Sequence, residues 1–411
     1  MTGYKLLVTA IALSLTPAFA ANSADSTSSA SQPSASASSA SATPSVQYRS
    51  GPTKRGRGVA FASTSSTETS NTSHASSAIA QIPMDATSSS ITLFGELDGG
   101  VTIEKLRGKD TTVKMSSGNW YWTSWGIKGV EDLGNGYAVG FILEQGFNAD
   151  SGNESVAGKA FSRESFLYLT GDFGRFGFGR TGTLASGAQS NNILTGWALG
   201  TGYGLSSWTS AIGTSFSRVD NAVAYQTPSF GGFKISAMYS NGTTGDDAKW
   251  SKNNHYYGVG ALYNANAIKS SLIFEAVDHK NTADPKEKTS YVINYGLEYN
   301  LGQWTPMFAY QWANQDEGKK THMFGLSAKV AVGGGDALLG ARYLFGKDKS
   351  LEAGDDKVRS WNVGAAYVYP LSKRTAVKAY AGYGDSSKAW KDTEQVVYNG
   401  YQVYFGLRHS F

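Results

Sequence analysis

The chain has 411 residues, a formal net charge of +4, 49 glycines, 13% aromatic residues and no cysteine. The lack of cysteine excludes disulfides, thiolate metal sites and a cysteine nucleophile. The small net charge argues against a nucleic-acid surface, while the glycine and aromatic content favours many short strands joined by turns.

The first twenty residues predict a secretory signal peptide. Lys5 supplies a positive end, residues 6–15 an apolar core, and Ala18, Phe19 and Ala20 a small-x-small cleavage site. A transmembrane helix is the competing interpretation, but this apolar run is too short to cross a bilayer. We therefore expect export across the inner membrane, with the mature chain beginning near Ala21.

Residues 21–90 are dominated by Ser, Ala and Thr. Such a segment buries too little apolar surface to offset the entropy of ordering it, so we predict a disordered periplasmic tail. Its one distinct feature is the basic cluster of Lys54, Arg55 and Arg57. This cluster is interpreted either as a contact with anionic cell-wall polymer or lipid headgroups, or as a solvated charge run in a linker.

Residues 91–411 repeat alternating segments of roughly ten residues, joined by short and long connections in turn. We count sixteen such segments. The first begins at Ile91, and its alternation places Leu93 and Leu97 on one face, with Glu96 and Asp98 on the other. A single strand of this kind also suits a soluble sandwich, but its recurrence predicts an all-β fold, a 16-stranded antiparallel transmembrane β-barrel with lipid outside and water inside.

The last strand of the barrel shows the same alternation up to the final residue. Tyr401, Val403, Phe405 and Leu407 share its apolar face, and the chain ends on Phe411. A terminal aromatic ring suits a membrane interface, and we interpret Phe411 as an assembly signal. In the fourth strand the alternation is ambiguous, because aromatic residues at 166 and 168 compete with leucines at 167 and 169 for the lipid side.

The longest connection within the barrel runs from Thr181 to Ser217. It contains no charged residue, but it includes Trp197, Tyr203 and Trp208. A connection of this length without a helix or strand of its own is usually functional or disordered. Its composition favours packing against a wall, and we predict that it folds into the lumen.

Several short motifs, in this order along the chain, resemble the general porins of Gram-negative bacteria, in the beta-proteobacterial style. They are Phe94-Gly95-Glu96-Leu97-Asp98, Gly126-Ile127-Lys128-Gly129-Val130-Glu131-Asp132-Leu133-Gly134, Gly171-Asp172-Phe173-Gly174 with Gly179-Arg180, Tyr225-Gln226-Thr227-Pro228-Ser229-Phe230-Gly231-Gly232-Phe233, and Gly406-Leu407-Arg408-His409-Ser410-Phe411. The resemblance covers the chain from about Ile91 to its end.

The resemblance implies an outer-membrane homotrimer of sixteen-stranded barrels, each with its third external loop folded inward as a constriction. It implies passive diffusion of small hydrophilic solutes and ions. We expect no enzyme activity, cofactor or metal, because the sequence carries no motif for them. Basic wall residues line such constrictions, and Arg163 and Arg218 match two of these positions. A third basic position of the family is Ser124 here, which diminishes the cluster.

Charge in a narrow lumen acts strongly on permeating ions, because the fixed groups are close and weakly screened. We predict a mild anion preference from Arg163, Arg218, Arg180 and Lys128, with Lys234 as a further inward charge. Four acidic side chains also predicted to face inward oppose it, namely Glu96, Asp98, Glu144 and Glu298. Each arginine also has a structural interpretation, as a snorkelling or loop residue paired with a neighbour.

Two other functions are considered beside a general diffusion channel. A solute-specific channel, for example for sugars, would use Trp197, Tyr203 and Trp208 as a stacking surface. An outer-membrane enzyme or adhesion barrel would need a site assembled across strands, yet the sequence shows no nucleophile elbow, no phosphate-binding loop and no metal-ligand spacing among its histidines. Sixteen strands leave an aqueous channel, so the diffusion channel is preferred.

Overall fold

The computed structural model describes residues 89–118, 122–199, 216–242, 250–280, 289–315, 318–351, 356–387 and 399–411. The proposed signal peptide and almost all of the Ser-rich tail lie outside these residues. The described part falls in the compact unit Ala75–Phe411. Within it, no helix is long and apolar enough to span a bilayer.

The described chain is built almost entirely of β-strands. In order they are β1 (Ser90–Leu106), β2 (Thr111–Ser117), β3 (Ser124–Gly134), β4 (Tyr137–Gly146), β5 (Glu164–Gly171), β6 (Gly174–Gly182), β7 (Arg218–Gln226), β8 (Phe233–Asn241), β9 (His255–Ala265), β10 (Ile268–Asp278), β11 (Ser290–Tyr299), β12 (Trp304–Asn314), β13 (Lys320–Val332), β14 (Gly335–Lys347), β15 (Lys357–Pro370), β16 (Thr375–Ser386) and β17 (Gly400–Ser410). A 3₁₀ turn, Trp250–Lys252, precedes β9.

The strands form one closed antiparallel barrel. From β3 to β17 each strand pairs with the next, and β17 pairs back with β1. The first half of β1 pairs with β3 through Ser90–Glu96, and the second half pairs with β2 through Gly99–Lys105. Because β2 and β3 lie end to end along β1, they occupy one position in the wall. The predicted 16-stranded barrel is therefore confirmed, with its second strand interrupted.

Burial alternates along the strands as the sequence predicts. Leu93 and Leu97 of β1 are exposed on the outside, whereas Glu96 and Asp98 are buried inside. The same outward exposure holds for the apolar residues of β17, including Phe405. Closure leaves no sheet edge, so backbone groups are paired within the wall, as a bilayer requires.

The short turns have the backbone conformations that their residues favour. Asn135 lies between two glycines and has φ 53°, and Asn266 has φ 53° in the turn between β9 and β10. Asn tolerates this left-handed region better than most residues do. These turns lie at the same end of the barrel as the tight turn between β13 and β14, and the longer connections lie at the other end.

The interior of the barrel is partly filled by apolar packing. A cluster of inward side chains from β4 to β10 surrounds Leu184 and Ile193, which belong to the connection after β6. A second cluster on the opposite wall contains Leu199 of the same connection with Tyr380 and Tyr404. This connection therefore supplies the apolar groups that cover the inner faces of both walls.

Candidate pore constriction

The connection after β6 lies against the inner wall over residues 183–199, and we call this stretch the inner segment. The backbone amide of Leu184 donates to the Tyr256 hydroxyl at 3.3 Å, and that of Ala185 donates to Glu275 Oε1 at 3.2 Å. The Tyr256 hydroxyl in turn donates to Glu275 Oε1 at 2.8 Å. Two inward side chains of β9 and β10 thus hold the start of the segment.

Further along, the inner segment is held by β11 and β13. The Thr195 hydroxyl donates to Glu298 Oε1, and the Gly196 amide donates to the same oxygen at 3.1 Å. The Ala198 amide donates to Ser327 Oγ at 3.0 Å. Hydrogen bonds to a carboxylate are the stronger kind, so Glu298 is a principal anchor.

Glycines on the wall make room for this close approach. A Cβ built on Gly296 would lie 2.0 Å from the carbonyl oxygen of Thr195. A Cβ on Gly325 or Gly340 would lie 2.9 Å or 3.0 Å from the Trp197 ring. Real Cβ atoms essentially never approach backbone so closely, so position 296 accepts only glycine while the segment stays in place, whereas a Cβ at 325 or 340 would require neighbouring side chains of the segment to shift.

A buried polar group anchors the middle of the inner segment beside β5 and β6. Glu164 accepts from the hydroxyl of Thr181 at 2.8 Å and from that of Ser190 at 2.5 Å. Arg175 Nη2 donates to the Ser190 carbonyl at 3.0 Å and to Asn191 Oδ1 at 2.8 Å. The segment therefore contacts charged wall residues although it carries no charge itself.

Arg163 lies just before β5 and faces the lumen. Its Nε donates to Glu144 Oε1 at 2.6 Å, and the Ser124 hydroxyl donates to the same oxygen at 2.7 Å. The guanidinium carbons of Arg163 and Arg218 lie 4.9 Å and 5.3 Å from the Trp122 ring centroid. The structure thus brings the two predicted arginines to one aromatic side chain, at cation–π distances.

Gln189 connects these two arginines to the inner segment. The neighbouring donors and acceptors orient the Gln189 amide so that its oxygen faces the two guanidinium groups. This oxygen accepts hydrogen bonds from Arg163 Nη2 at 3.2 Å and from Arg218 Nη2 at 3.1 Å. Its amide nitrogen then donates to the Ala188 carbonyl at 3.1 Å. The uncharged inner segment therefore offers a hydrogen-bond acceptor to the two arginines of the wall and leaves their positive charge in place.

Arg180 is paired within the wall. Its Nη1 contacts Asp220 Oδ1, and its Nε donates to the Ser162 carbonyl at 2.8 Å. Lys159 Nζ lies 2.6 Å from the other oxygen of Asp220. The carboxylate of Asp220 thus sits between two cations. Arg163 is thus paired with Glu144, and Arg180 and Lys159 are paired with Asp220.

The remaining predicted site residues are more scattered. Lys128 is half-buried on β3, 5.7 Å from the ring centroid of Phe94, and no contact between its side chain and the arginines is found in the described ranges. Lys234 is half-buried on β8. Trp197 packs on the wall, whereas Tyr203 and Trp208 lie outside the described residues.

Phe411 completes the barrel seam. Its amide donates to the Gly95 carbonyl at 3.0 Å, and the Gly95 amide donates to the Phe411 carbonyl at 3.2 Å. A Cβ on Gly95 would lie 2.2 Å from the Phe411 ring. The last residue therefore forms backbone hydrogen bonds with β1, and its ring packs over Gly95 of that strand.

Sequence reasoning missed several residues of this site, including Glu164, Arg175, Gln189 and Trp122. Strand alternation was sufficient to find Arg175, because Phe176 and Phe178 face outward on β6. No local pattern marks Gln189 or Trp122, whose roles come from contacts across the lumen. Within the ranges described above, no group of three His, Asp or Glu side chains could hold a metal ion.

Known proteins similar to this chain are porins, in agreement with the closed β-barrel described above. The model of the Gram-negative porin family matches residues 60–389. An outer membrane porin protein of Bordetella pertussis is 27% identical over 380 residues, which cover 78% of this chain and 94% of the relative. Outer membrane porin protein 32 of Delftia acidovorans is 28% identical over 344 residues, with coverages of 79% and 94%.

Solved structures give the same assignment. The anion-selective porin from Comamonas acidovorans superposes with a TM-score of 0.58 at 26% identity, covering 79% of this chain and 100% of that chain. The trimer form of OmpT from Vibrio cholerae has a TM-score of 0.58 at 18% identity, covering 79% of this chain and all of that one, and shows the fold alone. The chain therefore belongs to the Gram-negative porin family, as an outer-membrane β-barrel through which small hydrophilic solutes diffuse passively.

Proposed function

We propose that this porin is a homotrimer of diffusion channels that prefer anions mildly, with the preference set where the inner segment meets Arg163, Arg180 and Arg218. The observation that carries the proposal is the shared environment of Arg163 and Arg218. Both guanidinium groups face Trp122 and Gln189, which are uncharged. Arg163 is in addition paired with Glu144.

The relatives support this proposal at two points. A porin of known structure that is 26% identical to this chain is known as anion-selective. A more distant barrel of the same fold has been obtained as a trimer. Trimer formation by this chain rests on that likeness, and the electrostatic preference rests on its own arginines.

The solute-specific alternative receives no support from the described contacts. Trp197 packs its ring against the wall at Gly325 and Gly340, as a residue that fixes the segment in place would. The family and fold are those of a channel rather than an enzyme, and we propose no catalytic role. Contact between the tail cluster at Lys54 and anionic cell-wall polymer stays a prediction.

Reversal potentials across a planar bilayer in a KCl gradient test the proposed selectivity. The wild type should show a reversal potential whose sign indicates that chloride permeates more readily than potassium. Arg163→Gln with Arg218→Gln should lower the chloride-to-potassium permeability ratio by about twofold or more, because a unit charge about 7 Å from an ion in water contributes roughly 0.6 kcal/mol.

The matched control replaces two exposed arginines, Arg107→Gln with Arg374→Gln, and should leave the ratio unchanged because exposed charges are screened. Cation preference in the wild type, or an equal effect of both double variants, would contradict the proposal. Addition of maltodextrins to the same bilayers should leave the current unblocked. Concentration-dependent block would instead favour a sugar-binding channel.

A further inference from the structure

The second position of the wall is interrupted close to the constriction. Ser117, the last residue of β2, pairs with Gly99, and Ser124, the first residue of β3, pairs with Glu96. The connection between β2 and β3 therefore has six residues, opposite only two residues of β1. Extra residues of this kind re-aim side chains in a sheet. Trp122 lies in this interruption and belongs to neither strand.

Side-chain hydrogen bonds close the wall at the interruption. The Thr123 hydroxyl accepts from the Asp98 amide at 3.1 Å and donates to the Asp98 carbonyl at 3.1 Å. The Gly118 amide donates to the same carbonyl at 2.8 Å, and the Phe147 amide donates to the Thr123 carbonyl at 3.1 Å. Buried backbone groups in a membrane-spanning wall require such partners. Asp98 and Phe147 find them without Trp122, whose side chain is left for another role.

The Trp122 ring receives both arginines of the constriction. The side chain is half-buried, and the guanidinium carbons of Arg163 and Arg218 lie over its ring, 4.9 Å and 5.3 Å from the centroid. Tryptophan is the side chain whose ring attracts cations most strongly. The Gln189 oxygen in addition accepts a hydrogen bond from each guanidinium group. The two cations are therefore held by a ring and an amide, neither of which carries a charge.

The two arginines need such a contact because their charges repel. Both guanidinium groups bind the one Gln189 oxygen, at 3.2 Å and 3.1 Å, so they are close neighbours, and like charges favour moving apart. Carboxylates also compete for them, since Glu144 already binds Arg163 and Asp220 lies two residues beyond Arg218 on β7. Further ion pairing would weaken the positive field that a permeating anion meets. The ring attracts both guanidinium groups without adding a negative charge.

We propose that Trp122 is a positioning residue for anion selectivity, which holds Arg163 and Arg218 side by side so that both charges act on the diffusion path. The interruption of the second wall strand brings the ring to this place. The inference rests on the proposed anion preference and adds to its determinants a residue that carries no charge. It predicts that an aromatic ring at position 122, and not the volume of the side chain, sets the chloride-to-potassium permeability ratio.

Reversal potentials of the full-length protein in planar bilayers, in a KCl gradient, test this role. Trp122→Leu should lower the chloride-to-potassium permeability ratio by about 1.5-fold, because Coulomb attraction falls as the arginines move away from the path. Trp122→Phe should keep most of the wild-type ratio, since a phenyl ring also attracts cations. Trp122→Met, a second replacement without a ring, should behave like Trp122→Leu and provides the test if the leucine variant does not fold.

Trp125→Leu is the matched control for this substitution. Trp125 lies on β3, three residues from Trp122, and is 38% exposed on the outer face of the wall. The control variant should therefore leave the permeability ratio unchanged. Heat-modifiable gel migration should show a folded barrel for every variant that is recorded.

A combined variant separates an effect through the arginines from an effect on pore shape. In a channel that already carries Arg163→Gln and Arg218→Gln, Trp122→Leu should cause no further change of the ratio. An equal fall in that background, or equal ratios for the leucine and phenylalanine variants, would overturn the inference. If Trp122→Leu matched the wild type while the arginine pair lowered the ratio, this inference alone would fail. If the arginine pair also had no effect, the proposed anion preference would fail with it.

Discussion

Arg163 and Glu144 form an ion pair on the inner wall, with Nε and Oε1 2.6 Å apart and side chains only 6% and 0% exposed. The pair joins the residue before β5 to β4, and the backbone amide of Arg163 also donates to the Glu144 carbonyl at 3.2 Å. It therefore sets both the local charge of the lumen and the position of an arginine that contacts the inner segment.

Replacement of Glu144 by Gln should increase anion preference. The change removes one negative charge and leaves Arg163 in place, so the reversal potential in a KCl gradient should move in the chloride direction. Loss of a hydrogen bond to a charged group should also cost about 1.5–3 kcal/mol of stability, seen as a lower unfolding temperature on heat-modifiable gels.

Arg163→Gln should move the reversal potential in the opposite direction, and the double variant should lie near the wild type. Glu131→Gln, at an exposed position near the end of β3, serves as the control and should change neither quantity. If Glu144→Gln and Glu131→Gln gave the same potential, Glu144 would not contribute to the field in the lumen.

Gly296→Ala should displace the inner segment. The added Cβ would lie 2.0 Å from the Thr195 carbonyl oxygen, which belongs to backbone and cannot move without its neighbours. We expect an altered single-channel conductance and more current noise, because the hydrogen bonds of Thr195 and Gly196 to Glu298 would be lengthened.

Gly99→Ala is the matched control, since nothing lies within 4 Å of a Cβ at Gly99. It should conduct as the wild type does. A Gly296→Ala channel with unchanged conductance and noise would show that the contact between the segment and β11 does not govern the current.

Removal of Phe411 should impair assembly of the barrel. The residue makes two backbone hydrogen bonds to Gly95, and its ring covers that glycine. We expect a several-fold lower yield of heat-modifiable barrel in outer membranes. Phe411→Tyr, which keeps the ring, should assemble normally, and normal assembly of the truncated chain would contradict the role assigned to Phe411.

Deletion of residues 21–88, with the predicted signal peptide (residues 1–20) retained, should leave an intact and conducting trimer. The Ser-rich tail has almost no large apolar groups with which to contribute to a folded core. Size-exclusion chromatography with light scattering and bilayer recording check this. Loss of trimers would mean that the tail takes part in assembly.

The strand pattern of the barrel was predictable because each strand has one face toward lipid. Leu93, Leu97 and Phe405 are exposed as their strand parity requires. In β5 the pattern was ambiguous, and the structure resolves it by burying Phe166 and Tyr168 while exposing Leu167 and Leu169. The physical reason is that the inner segment provides apolar partners for inward aromatic rings there.

The constriction was less predictable than the wall. Arg163 and Arg218 were identified by resemblance to a family pattern, but the contact of both with Trp122 and Gln189 depends on segments far apart in the sequence. Glu275 and Glu298 likewise carry no local sign that they bind the backbone of the inner segment. Such contacts require knowledge of how a loop crosses a lumen, which alternation does not provide.

Single-channel recording in planar lipid bilayers tests the central claim most directly, namely that the barrel encloses a water-filled path. Purified full-length protein should insert and give discrete steps whose conductance rises nearly in proportion to KCl concentration. Protein that inserts as folded barrels but leaves the bilayer current unchanged would contradict the account.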